Sequence, residues 1–174
     1  TLNDALNNLT ENMEKMKDDL DRYLEVFKRL QAEQKMDELK NRIEKLLKKQ
    51  GALSEDISQL NEDQDKSLTE RLAQEEKRII EDLDNIRSLI SETTEVTKPF
   101  SQKTSNRLEE LKESPVTEGS KSTINETMKN LSDQNMSKAQ EMSEQSMEYL
   151  QKMNQNITSS GHYTQSEANK NCAM

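Results

Sequence analysis

The chain has 174 residues, 25 basic and 34 acidic, for a net charge of −9, and only 30% of its positions are hydrophobic. Leu, Ile, Val and Phe together number 32 of 174, a share at which a highly charged chain is expected to lack a compact core unless regular spacing concentrates its apolar side chains. Three Gly, two Pro and no Trp exclude a turn-rich β-sandwich, and the abundance of Leu, Lys, Glu, Gln and Met favours helix. The expected class is all-α.

The first element starts at residue 2. Leu6, Leu9, Met13, Met16, Leu20, Tyr23, Phe27 and Leu30 follow one another in alternating steps of three and four, which stacks them on one side of a helix. Met36, Leu39, Ile43, Leu46, Gln50, Leu53, Ile57 and Leu60 repeat that spacing with one polar break. The two series are out of phase. Phe27 and Met36 hold equivalent places nine residues apart, and nine steps of 100° turn the second stripe by about 180°. With no Gly or Pro at 31–35 to bend it, an unbroken helix that meets different partners on opposite faces is expected.

Acid-first pairs four apart, Glu38 with Arg42 and Glu44 with Lys48, support the second stretch by a few tenths of a kcal/mol each. Residues 61–67 carry no apolar side chain and are the expected hinge. Beyond them Leu72, Ile79, Leu83, Ile86 and Ile90 form a third stripe, widened by Ile80 and Leu89. Residues 1–91 therefore read as one long helical, coiled-coil-like region. About 130 Å long at 1.5 Å per residue, it is too long to wrap one small core and is expected to associate with other helices.

Pro99, Pro115 and Gly119 among clustered Ser and Thr mark 92–120 as a linker holding at most a short helix around Leu108 and Leu111. Thr123-Ile124-Asn125-Glu126 has the capping-box spacing, so a Met-rich amphipathic helix is expected over 121–157. Its stripe of Ile124, Met128, Leu131, Asn135, Ala139, Met142, Ser146, Leu150, Met153 and Ile157 repeats about every 3.67 residues. Thioethers make such a stripe adaptable. Residues 158–174 lack periodicity and are expected to form a disordered tail.

The inventory for chemistry is short. The single His162 and single Cys172 both fall in that tail, where nothing rigid would hold a nucleophile against its base, and one of each is too few for zinc. The three glycines are far apart, so no phosphate-cradling loop forms. No catalytic residue, metal or cofactor is expected, and the carboxylates read as a solvated face. Residues 40–50 carry a local charge of +4 and 55–76 one of −6. Folding back at Gln64 would set Glu70–Glu76 beside Glu55 and Asp56, so pairing of these blocks is easier between chains or with another protein, with a surface charge fluctuation an equal alternative. The acidic total opposes nucleic-acid binding, and no run of about 18 apolar residues crosses a bilayer. A chain opening on Thr1 is expected to be a processed product or a piece of a longer polypeptide.

The stretch Phe27-Lys28-Arg29-Leu30-Gln31-Ala32-Glu33-Gln34-Lys35-Met36-Asp37-Glu38-Leu39, continued by Asn41-Arg42-Ile43-Glu44-Lys45-Leu46-Leu47-Lys48-Lys49-Gln50, resembles the helical middle of large membrane-anchored bacterial proteins whose domain function is unassigned. The resemblance spans roughly residues 2–60. It implies membrane-spanning segments elsewhere in a longer, envelope-associated parent.

The expected function is a non-enzymatic structural or interaction module that binds protein helices, its own or another protein's. The expected interface is Leu39, Ile43, Leu46, Leu53, Ile57, Leu60, Ile79, Leu83 and Ile86. The alternative is an adaptable binder, chaperone-like or a secreted effector, whose Met-rich helix folds on its partner.

Overall fold

The computed structural model describes residues 2–61 and 66–171, with the side chains of residues 4, 5 and 162–171 left out of the description. Five helices and no strand occur among the described residues: α1 (Leu2–Ser58), α2 (Lys66–Thr97), α3 (Gln102–Lys112), α4 (Pro115–Ser132) and α5 (Met136–Asn171). The chain is all-α.

The helices form four antiparallel columns. The second half of α1 runs up, α2 runs down, α3 and α4 run up in succession, and α5 returns; α1 touches α2 and α5, and the α3–α4 column closes the ring between them. The core is continuous from Met36, Leu39, Ile43 and Leu46 on α1 through Leu72, Leu83 and Ile90 on α2 to Ile124, Leu131, Leu150 and Ile157 on α4 and α5. All nine residues expected to face other chains lie in this core, each no more than 6% exposed. The expected rod is therefore corrected to a bundle. The stripes of α1 and α2 are too far apart in sequence to reveal each other as partners, and two more helices complete the ring.

The chain folds back despite the like-charged acids of 55–76, and the ion pairs across the fold join α1 to acids beyond that block. Lys49 Nζ lies 2.6 Å from Asp82 Oδ2 and Lys35 Nζ 2.8 Å from Glu92 Oε2 across the α1–α2 contact. Glu55, Asp56 and Glu70 are exposed to solvent, which screens their repulsion, and Glu75 pairs with Arg78 at 2.7 Å. Gln140 of α5 donates from Nε2 to the carbonyls of Ile57, Ser58 and Leu60 at 3.2–3.3 Å, satisfying acceptors that the end of α1 leaves open.

The expected linker is largely helical. Ser101 caps α3 by accepting from the Thr104 N–H, and Ser114 caps α4 by accepting from the Thr117 N–H with Pro115 in the first turn. Proline suits that position because the first helical N–H has no partner to lose. Thr123, expected to start a helix, lies inside α4, where its hydroxyl donates to the Gly119 carbonyl at 2.9 Å. Gly119 is a packing glycine: a Cβ there would come within 2.7 Å of the Tyr149 ring.

The expected single helix over 121–157 is two helices. Gln134 adopts φ 58°, the Asn135 N–H donates back to the Asn130 carbonyl at 2.8 Å, and the Asn135 side chain accepts from the Lys138 N–H at 3.2 Å. This left-handed turn ends α4 and caps α5. The even stripe spacing across it arises from two antiparallel helices facing one core. The tail expected over 158–174 is corrected up to Asn171, where α5 ends, and its residues 172–174 lie outside the described residues.

Hydroxyl residues explain how so polar a chain fills a core. Thr93, Thr104, Thr117, Ser120, Thr127 and Ser146 are fully buried. Thr93 donates to the Leu89 carbonyl at 2.7 Å, Ser120 to Val116 at 2.8 Å and Thr127 to Thr123 at 2.9 Å. Bonded to its own helix, a small hydroxyl side chain packs as an apolar one does.

Candidate functional site: an open helical arm and a buried polar pair

Two features of α1 stand apart from the core. The first is its N-terminal stretch. Burial begins at Ala32 and Met36, whereas Leu6, Leu9, Met13, Met16, Leu20, Tyr23, Phe27 and Leu30 all remain 50–75% exposed on the same helix. Leu24 and Val26 flank this seam and are also at least half exposed. The helix is unbroken from Leu2 to Ser58, so the half-turn phase difference between the stripes persists: the face packed on α2 and α5 and the apolar face of the arm point to opposite sides.

The arm reaches about 43 Å along its axis. Its bare side chains amount to on the order of 1,000 Å² of apolar surface, beyond the few hundred Å² of a usual monomer patch. Scattered apolar residues on a surface carry no message, but a seam with heptad spacing is a helix-docking surface. The spacing in the sequence shows this seam, but the nine residues expected as the interface all belong to the second and third stripes.

The second feature is Gln50, the polar break in the second stripe. Gln50 Nε2 donates to Glu76 Oε1 at 3.0 Å, and both side chains are fully buried. Gln50 Oε1 and Glu76 Oε2 have no hydrogen-bond partner. Desolvation pushes the Glu76 carboxyl up to about 7, partly opposed by the Gln50 hydrogen bond. A protonated Glu76 would supply the donor that Gln50 Oε1 lacks, closing a reciprocal acid–amide pair. Glu76 was counted with the solvated acids of 55–76, since only tertiary packing distinguishes it.

Among the described residues, no group of three or more His, Cys, Asp or Glu side chains is placed to hold a metal ion, and no helix is long and apolar enough to cross a membrane. The His162 side chain and Cys172 lie outside what is described. In comparisons with known proteins, no family model, curated protein or solved structure matches this chain.

Proposed function

We propose that the chain is a non-enzymatic interaction module: a self-contained helical bundle that holds out the first thirty residues of α1 as a docking helix for another protein helix. The observation that carries this reading is the bare heptad seam from Leu6 to Leu30 on a helix whose other half is fully packed. The bundle anchors the arm and keeps it helical at its base, so less ordering entropy is lost on docking than for a free peptide. The resemblance of residues 27–50 to membrane-anchored bacterial proteins extends the proposal to an envelope-associated parent in which this module joins helices. The adaptable Met-rich binder gains no support, because Met136, Met142 and Met153 are buried in the bundle.

The test is whether the seam is surplus to folding. A Leu9→Asp, Leu20→Asp double variant of the full chain is expected to keep the melting midpoint of the bundle while losing association with other helices. A clearly lowered midpoint at a dilution where the parent chain is also single, so that lost association cannot lower it, would assign the seam to the chain's own core and refute the reading.

A further inference from the structure

The seam is self-complementary when reversed. Taken about residue 18, Leu6 maps onto Leu30, Leu9 onto Phe27, Met13 onto Tyr23 and Met16 onto Leu20, each pair joining an a position to a d position, as antiparallel helices pack. Large rings thereby meet Leu9 and the flexible Met13 rather than each other.

Charge does not oppose this arrangement. Divided at the dyad, residues 6–17 hold Glu11 and Glu14 against Lys15 and Lys17, and residues 19–30 hold Asp19, Asp21 and Glu25 against Arg22, Lys28 and Arg29. Each half is therefore neutral overall, so an antiparallel copy sets no net charge against another. Only Lys17 and Asp19, next to the dyad, then meet their own copies. Exposed pairs of that kind are worth under about 1 kcal/mol, against burial of on the order of 2,000 Å² across both arms, ample for a stable dimer.

Access agrees with this. The arm's seam lies on the side of α1 opposite the one covered by α2 and α5, so a second arm can lie along it up to Leu30 without displacing the bundle. Resting on the docking-helix reading above, we infer that the occupant of the seam is a second copy of this chain, antiparallel and in register about residue 18, giving a dimer with a bundle at each end.

Two measurements on the full chain test this. In sedimentation equilibrium over a concentration series, the mass is expected to rise from 20.1 kDa to twice that value, and the rise is expected to be lost in the Leu9→Asp, Leu20→Asp variant. In a Cys172→Ser background, Leu9→Cys and Phe27→Cys chains mixed under mild oxidation are expected to give mainly the 9–27 cross-link. A mass fixed at 20.1 kDa, with the bundle still melting normally in the seam variant, would overturn the second copy while leaving the docking helix for a different protein. Predominant 9–9 and 27–27 cross-links would overturn the antiparallel register.

Discussion

Residues 6–30 and 36–57 of α1 share one helix and one spacing of large apolar side chains, yet Leu39, Ile43 and Ile57 are fully buried while Leu9, Leu20 and Phe27 are more than half exposed. Local sequence is nearly matched between the halves, so periodicity alone does not decide burial. The difference is supplied by α2 and α5, which lie beside the second half, and by the half-turn offset that aims the first half's stripe away from them. Helical spacing declares that a face wants a partner; where the partner resides, in the same chain or another, is decided by the rest of the fold.

The sharpest way to break this contrast is to place a charge on each half. Leu83→Asp buries a carboxylate at a fully buried site and is expected to cost at least about 4 kcal/mol, unfolding the bundle by circular dichroism, whereas Leu20→Asp should leave the bundle's melting midpoint within the shift expected for a surface substitution, about 0.5 kcal/mol. Equal losses from both would erase the distinction.

A smaller effect is expected at the polar pair within the packed half. Glu76 is raised from 4.5 to about 7 in the folded chain, so between those values the folded state holds a proton that the unfolded state has released. Its contribution is therefore most favourable below pH 4.5 and is lost as pH rises through 7, a difference of about 3 kcal/mol. Glu76→Gln should stabilise the bundle by up to that amount at pH 8 and by little at pH 4, measured by urea melts at both pH values. A gain that is the same at both would remove the titrating role of Glu76.

Gly119→Ala tests the close approach of α4 to Tyr149. The added methyl gains helix propensity of about 1 kcal/mol but meets the ring at 2.7 Å, an overpacking cost of about 1–3 kcal/mol, so a modest net loss in thermal stability is expected. A net gain would mean the ring moves aside freely. At the smallest end, Lys49→Ala removes an exposed ion pair to Asp82 and should change stability by under about 1 kcal/mol in the same melts.

The all-α class was legible in composition and in the three-four spacing, and the absence of Gly or Pro at 31–35 correctly left α1 unbroken. The bundle was not legible, because a stripe shows its own width but not whose stripe it meets. Ser and Thr misled twice. Clustered around Pro115 and Gly119 they resemble a linker, whereas Ser114 caps a helix that Pro115 begins, and Thr117, Ser120 and Thr127 fill its buried face. Counting only aliphatic residues therefore underestimated the core. The left-handed turn at Gln134 escaped notice because the stripe spacing happens to run evenly across it. Of the candidate site, the exposed seam was readable residue by residue, while the isolation of Glu76 from water depends on contacts between helices that no local pattern records.

The central claim is that α1 is half core and half open arm, and residue-resolved amide hydrogen exchange on the dilute full chain tests it most directly. The account predicts slow exchange through residues 36–57 and the buried stretches of α2, α4 and α5, with fast exchange over 6–30 that slows as chain concentration rises. Protection of 6–30 equal to that of 36–57 at high dilution, where only single chains remain, would contradict it.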